Sequence, residues 1–412
     1  MAKSDQSAFI NRDAQVARAS RAVILASFVS NLGFNFVFAL LPLYVRELSG
    51  PGAATAVWSG VILAASPMAG AIAAPFWGRL TDRANYRPML LGALASTAVL
   101  IGLMTLPNAP WQLLILRILA GAFGSIQVVA MSALAAWTRP EDLSKAISRL
   151  QMAQMFGVIV GPVAGGSVAA LFDVRFAPLA GACSLAVGTL LVARWLHEPS
   201  GKRARIKGPA PKLKLTYLWL PVITLLAVQF TDSSFNPILP LLLAQGVGAT
   251  GTVAGLTGAA ASMSATAAAV GAGLAGQLLK KGMRRRSIVA AIGTLVLFTL
   301  AAMVAPLPWG VVLFRVLCGG MVAGITVAAY SAGGLSVEPS QRGAAYGWLS
   351  SSGLTGNASS PIFAGLLAAI DLRAVLVLDA ALCLVSAVGW GFSRRPVPAA
   401  PTISAKKGLT TG

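Results

Sequence analysis

The sequence predicts an all-α integral membrane protein of twelve transmembrane helices, folded as two homologous six-helix bundles related by a pseudo-two-fold axis. Four observations carry that expectation. Of the 412 residues, 56% are apolar and only 11% charged, whereas a soluble domain carries roughly a quarter charged residues. The apolar residues fall in runs long enough to cross a bilayer, about 20 residues each. The 32 Lys and Arg outnumber the 12 Asp and Glu, giving a formal charge of +20, and they gather between the apolar runs. Finally, the chain repeats itself at a constant offset of 198 residues: Pro42 meets Pro240, Gly78 meets Gly276, Arg87 meets Arg285, Arg117 meets Arg315 and Gly121 meets Gly319. Asp173 and Arg175 likewise meet Asp371 and Arg373, and Pro162 meets Pro361 after a slip of one residue.

Charge clusters and Pro/Gly breaks divide the apolar runs into spans at 22–45, 56–78, 88–106, 110–137, 147–171 and 176–196, then 216–245, 250–279, 286–306, 308–334, 343–370 and 373–394. The first run is longer than the apolar stretch of a signal peptide and lacks a small-residue cleavage site, so it is expected to remain as a spanning helix. Between the sixth and seventh spans lies the longest connection, polar, basic and rich in Pro and Gly. It separates a bundle at 22–196 from a bundle at 216–394, with 1–21 as a leading segment, 197–215 as a linker and 395–412 as a tail. Of the 32 basic residues, all but Arg46, Arg117, Arg175, Arg315 and Arg373 lie in segments that share one side when the N-terminus is inside. Basic loops are retained in the cytoplasm, so both termini and the linker are expected there.

These features exclude several classes of function. A nucleic-acid binder would present such a charge on a solvated face, whereas here it marks topology. One histidine, His197, and three cysteines in apolar stretches, Cys183, Cys318 and Cys383, provide neither a metal cluster nor a disulfide framework. No cofactor or metal is expected, the cysteines read as buried packing residues, and no constellation of catalytic groups suggests an enzyme.

Three motifs carry mechanism. After the second span comes Gly78-Arg79-Leu80-Thr81-Asp82-Arg83-Ala84-Asn85-Tyr86-Arg87. It resembles the signature loop of the major facilitator superfamily, G-x-L-x-D-R-x-G-R-[KR], departing from it at Asn85 and Tyr86. In the fourth span Arg117-Ile-Leu-Ala-Gly121 places a guanidinium in an apolar segment, where a charge costs at least about 2.5 kcal/mol unless partnered or hydrated. It is similar to the superfamily pattern R-x-x-x-G. The alternative is that Arg117 and its repeat mate Arg315 snorkel to the interface. The fifth span holds Gly157, Gly161, Pro162, Gly165 and Gly166, matching in full the G-x-x-x-G-P-x-x-G-G motif that the superfamily associates with antiporters. Glycines four apart also let helices approach closely.

The resemblance covers nearly the whole chain, from about Arg21 to Arg395. It implies that Gly78, Asp82, Arg83 and Arg87 form a conformational latch, with Asp82 facing the positive N-terminal end of the eleventh helix near Gly343. Because Lys280 stands where the repeat would place an acid, the latch is expected on one side only. A role in proton movement for Arg117 is also implied by the resemblance.

Ten of the acids sit in loops or at helix ends; Asp232 and Asp379 lie inside spans. Asp232 has polar neighbours and two nearby prolines that can open the backbone toward a cavity. A carboxylate exposed alternately to the two sides can load and release a proton, so Asp232 is the leading coupling residue and a candidate to attract a cation. Asp379 has less polar company and is either a second coupling acid or a helix-packing residue. Asn31, Phe34, Asn35, Phe38, Gln127, Gln151, Gln154, Phe156, Gln229, Phe230, Tyr346 and Asn357 are candidates for a central cavity that takes apolar or cationic organic molecules.

Within the superfamily, the sequences around Trp58, Gly78 and Leu41-Pro-Leu-Tyr44, with the fifth-span motif, resemble the twelve-helix drug:H+ antiporters of bacterial inner membranes. That resemblance implies proton-coupled efflux of amphipathic compounds by a monomer, through rocking of the halves about a central site. A dedicated exporter of one metabolite, such as a sugar or siderophore, and an uptake symporter are the competing expectations.

Overall fold

The structure is a computed structural model that describes residues 2–38, 40–49, 53–172, 174–198, 216, 218–247, 250–280, 285–304, 309–368 and 372–393. The linker from 199, the tail 395–412, Asp173, Asp371 and the side chains of Pro162, Gly166 and Lys280 lie outside that description.

Among the described residues fourteen α-helices run in the order α1 (Ala2–Phe38), α2 (Leu41–Ser49), α3 (Ala53–Thr81), α4 (Tyr86–Leu103), α5 (Pro110–Phe123), α6 (Ile126–Trp137), α7 (Leu143–Leu171) and α8 (Ala177–Trp195), then α9 (Trp219–Val247), α10 (Thr250–Lys280), α11 (Arg285–Val304), α12 (Trp309–Leu335), α13 (Arg342–Ala368) and α14 (Leu372–Phe392). They make the twelve expected spans because the first and fourth are each broken once. Pro42 has no N–H to donate back toward residue 38, so the first span stops and restarts with the proline in the opening turn of α2. The fourth breaks at the Gly124–Ser125 pair, a pairing at which helices kink. Both breaks lie within continuous apolar runs, so it is these residues and not the hydropathy that mark them.

The helix expected to begin at residue 22 instead runs back to Ala2, so the leading segment is a helical extension of the first span. Among the described residues, seven segments meet both the length and the hydropathy of a membrane crossing. The helices α7, α9, α10 and α13 are 27 to 31 residues long, which also suffices by length.

Packing repeats as the sequence does. In the first half α1 packs on α7 and α8, α3 on α5, and α4 on α8; in the second, α9 packs on α13 and α14, α10 on α12, and α11 on α14. These are the same neighbours in the same order. The halves meet along two crossings that the pseudo-symmetry exchanges, α3 with α13 and α7 with α10. The repeat pair Gly78 and Gly276 sits at those crossings. A Cβ on Gly78 would strike the backbone of Gly343 and Gly347, and one on Gly276 would strike Ser148.

The fifth-span glycines are packing residues in this structure. A Cβ on Gly157 would lie 2.8 Å from Leu32 N and the Cβ of Asn31, one on Gly161 2.6 Å from the Cβ of Asn35, and one on Gly165 would strike the carbonyl of Phe36. The stripe seats α7 on α1. Gly165→Ala must therefore push backbone apart, and overpacking of this kind costs about 1–3 kcal/mol. A thermal midpoint lowered by several degrees in detergent is the expected result, with Ala at exposed Ser167 as the neutral control.

Candidate functional site

Membrane-depth charge is concentrated at two places. On α5, Arg117 is fully buried, with its guanidinium 4.6 Å from the ring centre of Phe34 and 5.9 Å from that of Phe38 on α1. The two rings stack on each other at 6.2 Å. Nε and Nη2 find no acceptor among the described residues, so the charge rests on aromatic faces, an electrostatic attraction that strengthens when water is excluded.

On α12, Arg315 lies over Phe235 at 5.3 Å and donates from Nη1 to Asp232 Oδ1 on α9 at 2.9 Å. The arginine side chain is 9% exposed and the aspartate 38%. One end of this ion pair is therefore sealed and the other open. The 198-residue offset that matches Arg117 to Arg315 also matches Phe34 to Asp232. The two halves thus place an arginine at equivalent depth, balanced by a ring in one and by a carboxylate in the other. Both guanidinium groups turn onto partners within their own half, Arg117 onto Phe34 and Arg315 onto Phe235 and Asp232.

Asp379 is placed differently. It is fully buried between α14 and α9, where Ser234 Oγ donates to Oδ2 at 2.5 Å and Oδ1 has no partner among the described residues. Beside it Thr231 Oγ1 lies 3.4 Å from Cys383 Sγ. This is the seam of two packed helices, the placement expected of a helix-packing residue, and it has no opening like that beside Asp232. Cys318 and Cys383 are buried as expected, but Cys183 is exposed on the outer surface of α8.

At the end carrying the Gly78–Arg87 loop, the amide groups of Gly343 and Ala344 at the start of α13 donate to Asp82 Oδ1 and Oδ2 at 2.8 and 2.9 Å. Asp82 thus bridges the halves onto a positive helix end. Its basic companions do not reach the second half: Arg83 is exposed, while the Arg87 side chain donates to Ala193 O of the first half and its amide to Glu198 at the start of the linker. A second bridge, not anticipated from the sequence, runs the other way, from Arg342 Nη1 to Ala135 O at 2.7 Å. Ser148 to Ala272 O, Ser351 to Ala71 O and Gln127 to the Tyr330 hydroxyl also join the halves. These six hydrogen bonds all lie in the loop-bearing part of the molecule, where they hold the halves together.

The cavity candidates divide. Phe34 and Phe38 surround Arg117. Asn31 and Asn35 donate to carbonyls of their own helix, at Ser27 and Asn31. Gln151 and Gln154 are buried on the inner face of α7, and Gln229 lies against Gly353 of α13. Phe230 is buried and packs on Phe363, with ring centres 6.1 Å apart, and Asn357 is half-buried on α13. Two candidates stand apart. Phe156 is half-exposed on a stripe with Val160 and Val163, turned away from Gln151 and Gln154. Tyr346 is fully buried one turn inside α13, against Tyr330 and Gly334 in the closed end, too near that end to line a mid-depth cavity.

The family model for the Major Facilitator Superfamily matches residues 23–231 and again 221–411, once for each half. The chain belongs to the major facilitator superfamily. Among curated proteins it is similar to multidrug resistance protein MdtG of Salmonella dublin, 28% identical over 380 residues that cover 90% of this chain and 94% of that one. The MdtG of Enterobacter lignolyticus is 29% identical over 385 residues, covering 90% and 91%. Among solved structures, the human organic anion transporter MFSD10 superposes with a TM-score of 0.79 at 18% identity over 91% of this chain and 99% of that one. FucP, captured in the outward conformation, superposes at 0.74 with 12% identity over 92% and 99%. As a superfamily member, this is a multi-pass membrane protein of a family that moves small molecules across the bilayer.

Proposed function

We propose that this superfamily transporter exports amphipathic, cationic or neutral organic compounds from the bacterial cytoplasm by exchange for protons, with Asp232 as the coupling carboxylate. The observation that carries the reading is the half-open ion pair between Asp232 and Arg315 at membrane depth. A carboxylate neutralised by a proton releases Arg315, and one that is deprotonated re-forms the pair, so proton and cationic substrate compete for the same charge. The names of the MdtG relatives support efflux of drugs. The basic-loop asymmetry supports cytoplasmic termini in the inner membrane, with the closed end facing the cytoplasm and the site facing outward. Asp82 then serves as the latch of the outward-facing state. The protein acts as a monomer, with bundles at 22–196 and 216–394.

Everted vesicles containing the protein and an imposed proton gradient test the reading. Several unrelated cationic dyes and antibiotics are each expected to trigger proton release, while sugars are not. Release by one compound class alone would replace polyspecific export with a dedicated exporter. Organic anions belong in the panel because Arg117 has donors without acceptors; release by anions only would move substrate recognition to Arg117.

A further inference from the structure

Away from the transport path, a groove of about 590 Å3 opens at the loop-bearing end where α1, the end of α6 and the start of α7 meet. Its lining includes Arg21, Arg139, Lys145 and Arg149 against one acid, Asp142. We propose that this groove binds the phosphate headgroup of an anionic phospholipid.

Charge selects the phosphate. Three arginines and a lysine line one concavity, and guanidinium recognises phosphate oxygens through parallel charge-assisted hydrogen bonds. Position selects a lipid over a free ion. The membrane-length segment Ala14–Phe38 begins here and Pro110–Trp137 ends here, which puts the groove at headgroup level. Trp137 is in its wall, at the depth where tryptophan gathers in membrane proteins. Apolar Val16, Ile24 and Ala146 complete that wall. Above Arg149, at helical spacing on the same face of α7, stand exposed Phe156, Val160 and Val163. They provide an apolar track, beginning about 10 Å from the phosphate position, along which an acyl chain can lie. An inorganic anion would have no use for that track.

The test is the thermal midpoint of the full-length protein in detergent, titrated in separate arms with phosphatidylglycerol, phosphatidylcholine and inorganic phosphate. Phosphatidylglycerol is expected to raise the midpoint far more than either control. In the triple variant Arg139→Gln, Lys145→Gln, Arg149→Gln the phosphatidylglycerol concentration giving half the shift should rise roughly a hundredfold, at about fivefold per basic residue lost. Should the triple variant not fold, Arg149→Gln alone is expected to raise it about fivefold, with Arg149→Lys retaining most of the response. An equal phosphatidylglycerol response in wild type and variant would overturn the site. Equal shifts from phosphatidylglycerol and inorganic phosphate at matched concentration would overturn the lipid and leave a free-anion site.

Discussion

Asp232→Asn is expected to abolish substrate-triggered proton release while leaving the protein folded and in the membrane. Asparagine keeps the shape of the side chain and can still accept a hydrogen bond from Arg315, but it cannot take up a proton. The cost to folding is the loss of charge compensation for an arginine that is 9% exposed. Removing one partner of a sealed pair costs about 3–5 kcal/mol, and the 38% exposure of Asp232 moves this case toward the lower end by letting water screen the charge. The double variant Asp232→Asn, Arg315→Met separates the two effects. It should recover the thermal midpoint lost by the single change yet remain uncoupled. Asp379→Asn is the contrasting control: its carboxyl lies in a sealed seam with Ser234 as donor, so a changed midpoint with coupling retained is expected. Full coupling in Asp232→Asn, measured beside wild type in the same everted vesicles, would remove Asp232 from the mechanism. Loss of coupling in Asp379→Asn alone would assign it to the α9–α14 seam instead.

Why some of this was legible in the sequence and some was not follows from what each feature depends on. The twelve spans were legible because a bilayer demands long apolar runs whatever their partners, and the repeat was legible because the two halves share their packing glycines. Asp82 was placed by its motif, which specifies a contact between two helix ends. The pairing of Asp232 with Arg315 could have been argued from charge alone, since only two acids and two arginines lie inside spans and buried charges seek partners. Choosing between Arg117 and Arg315 needed the repeat offset, which puts Phe34 where the other half has Asp232. Helix rotation is what the sequence left open. Phe156 and Gln154 are two residues apart, yet one faces outward and the other inward. Arg342 counted only as a topological charge, because nothing in its own segment indicates that it reaches Ala135 across the interface.

Asp82→Asn is expected to open the loop-bearing end. In the closed state the carboxylate accepts two amide hydrogen bonds at the start of α13. A hydrogen bond to a charged group contributes about 1.5–3 kcal/mol, and partial exposure places each of these at the lower value. Asparagine retains one acceptor oxygen and loses the charge that favours a helix N-terminus, so the closed state should weaken by about 2 kcal/mol, roughly thirtyfold in the closed-to-open ratio. The readout is a cysteine placed at Ser144, which is 5% exposed and lies in the α7–α10 crossing near Gly276, in a background where the native cysteines are serine. A membrane-impermeant maleimide supplied from the loop-bearing side should label it slowly in the parent and many times faster with Asp82→Asn. Gly343→Ala should act in the same direction by steric means, because its new Cβ would meet Thr81 Oγ1, Asp82 Oδ1 and the carbonyl of Gly78. Weakening the pseudo-symmetric crossing by Ser148→Ala, which removes a single neutral hydrogen bond to Ala272 O, should accelerate labelling only about fivefold. A latch at Asp82 requires that ordering. If Ser148→Ala opened the end as far as Asp82→Asn, closure would rest on the whole crossing surface and the signature carboxylate would be one contact among many.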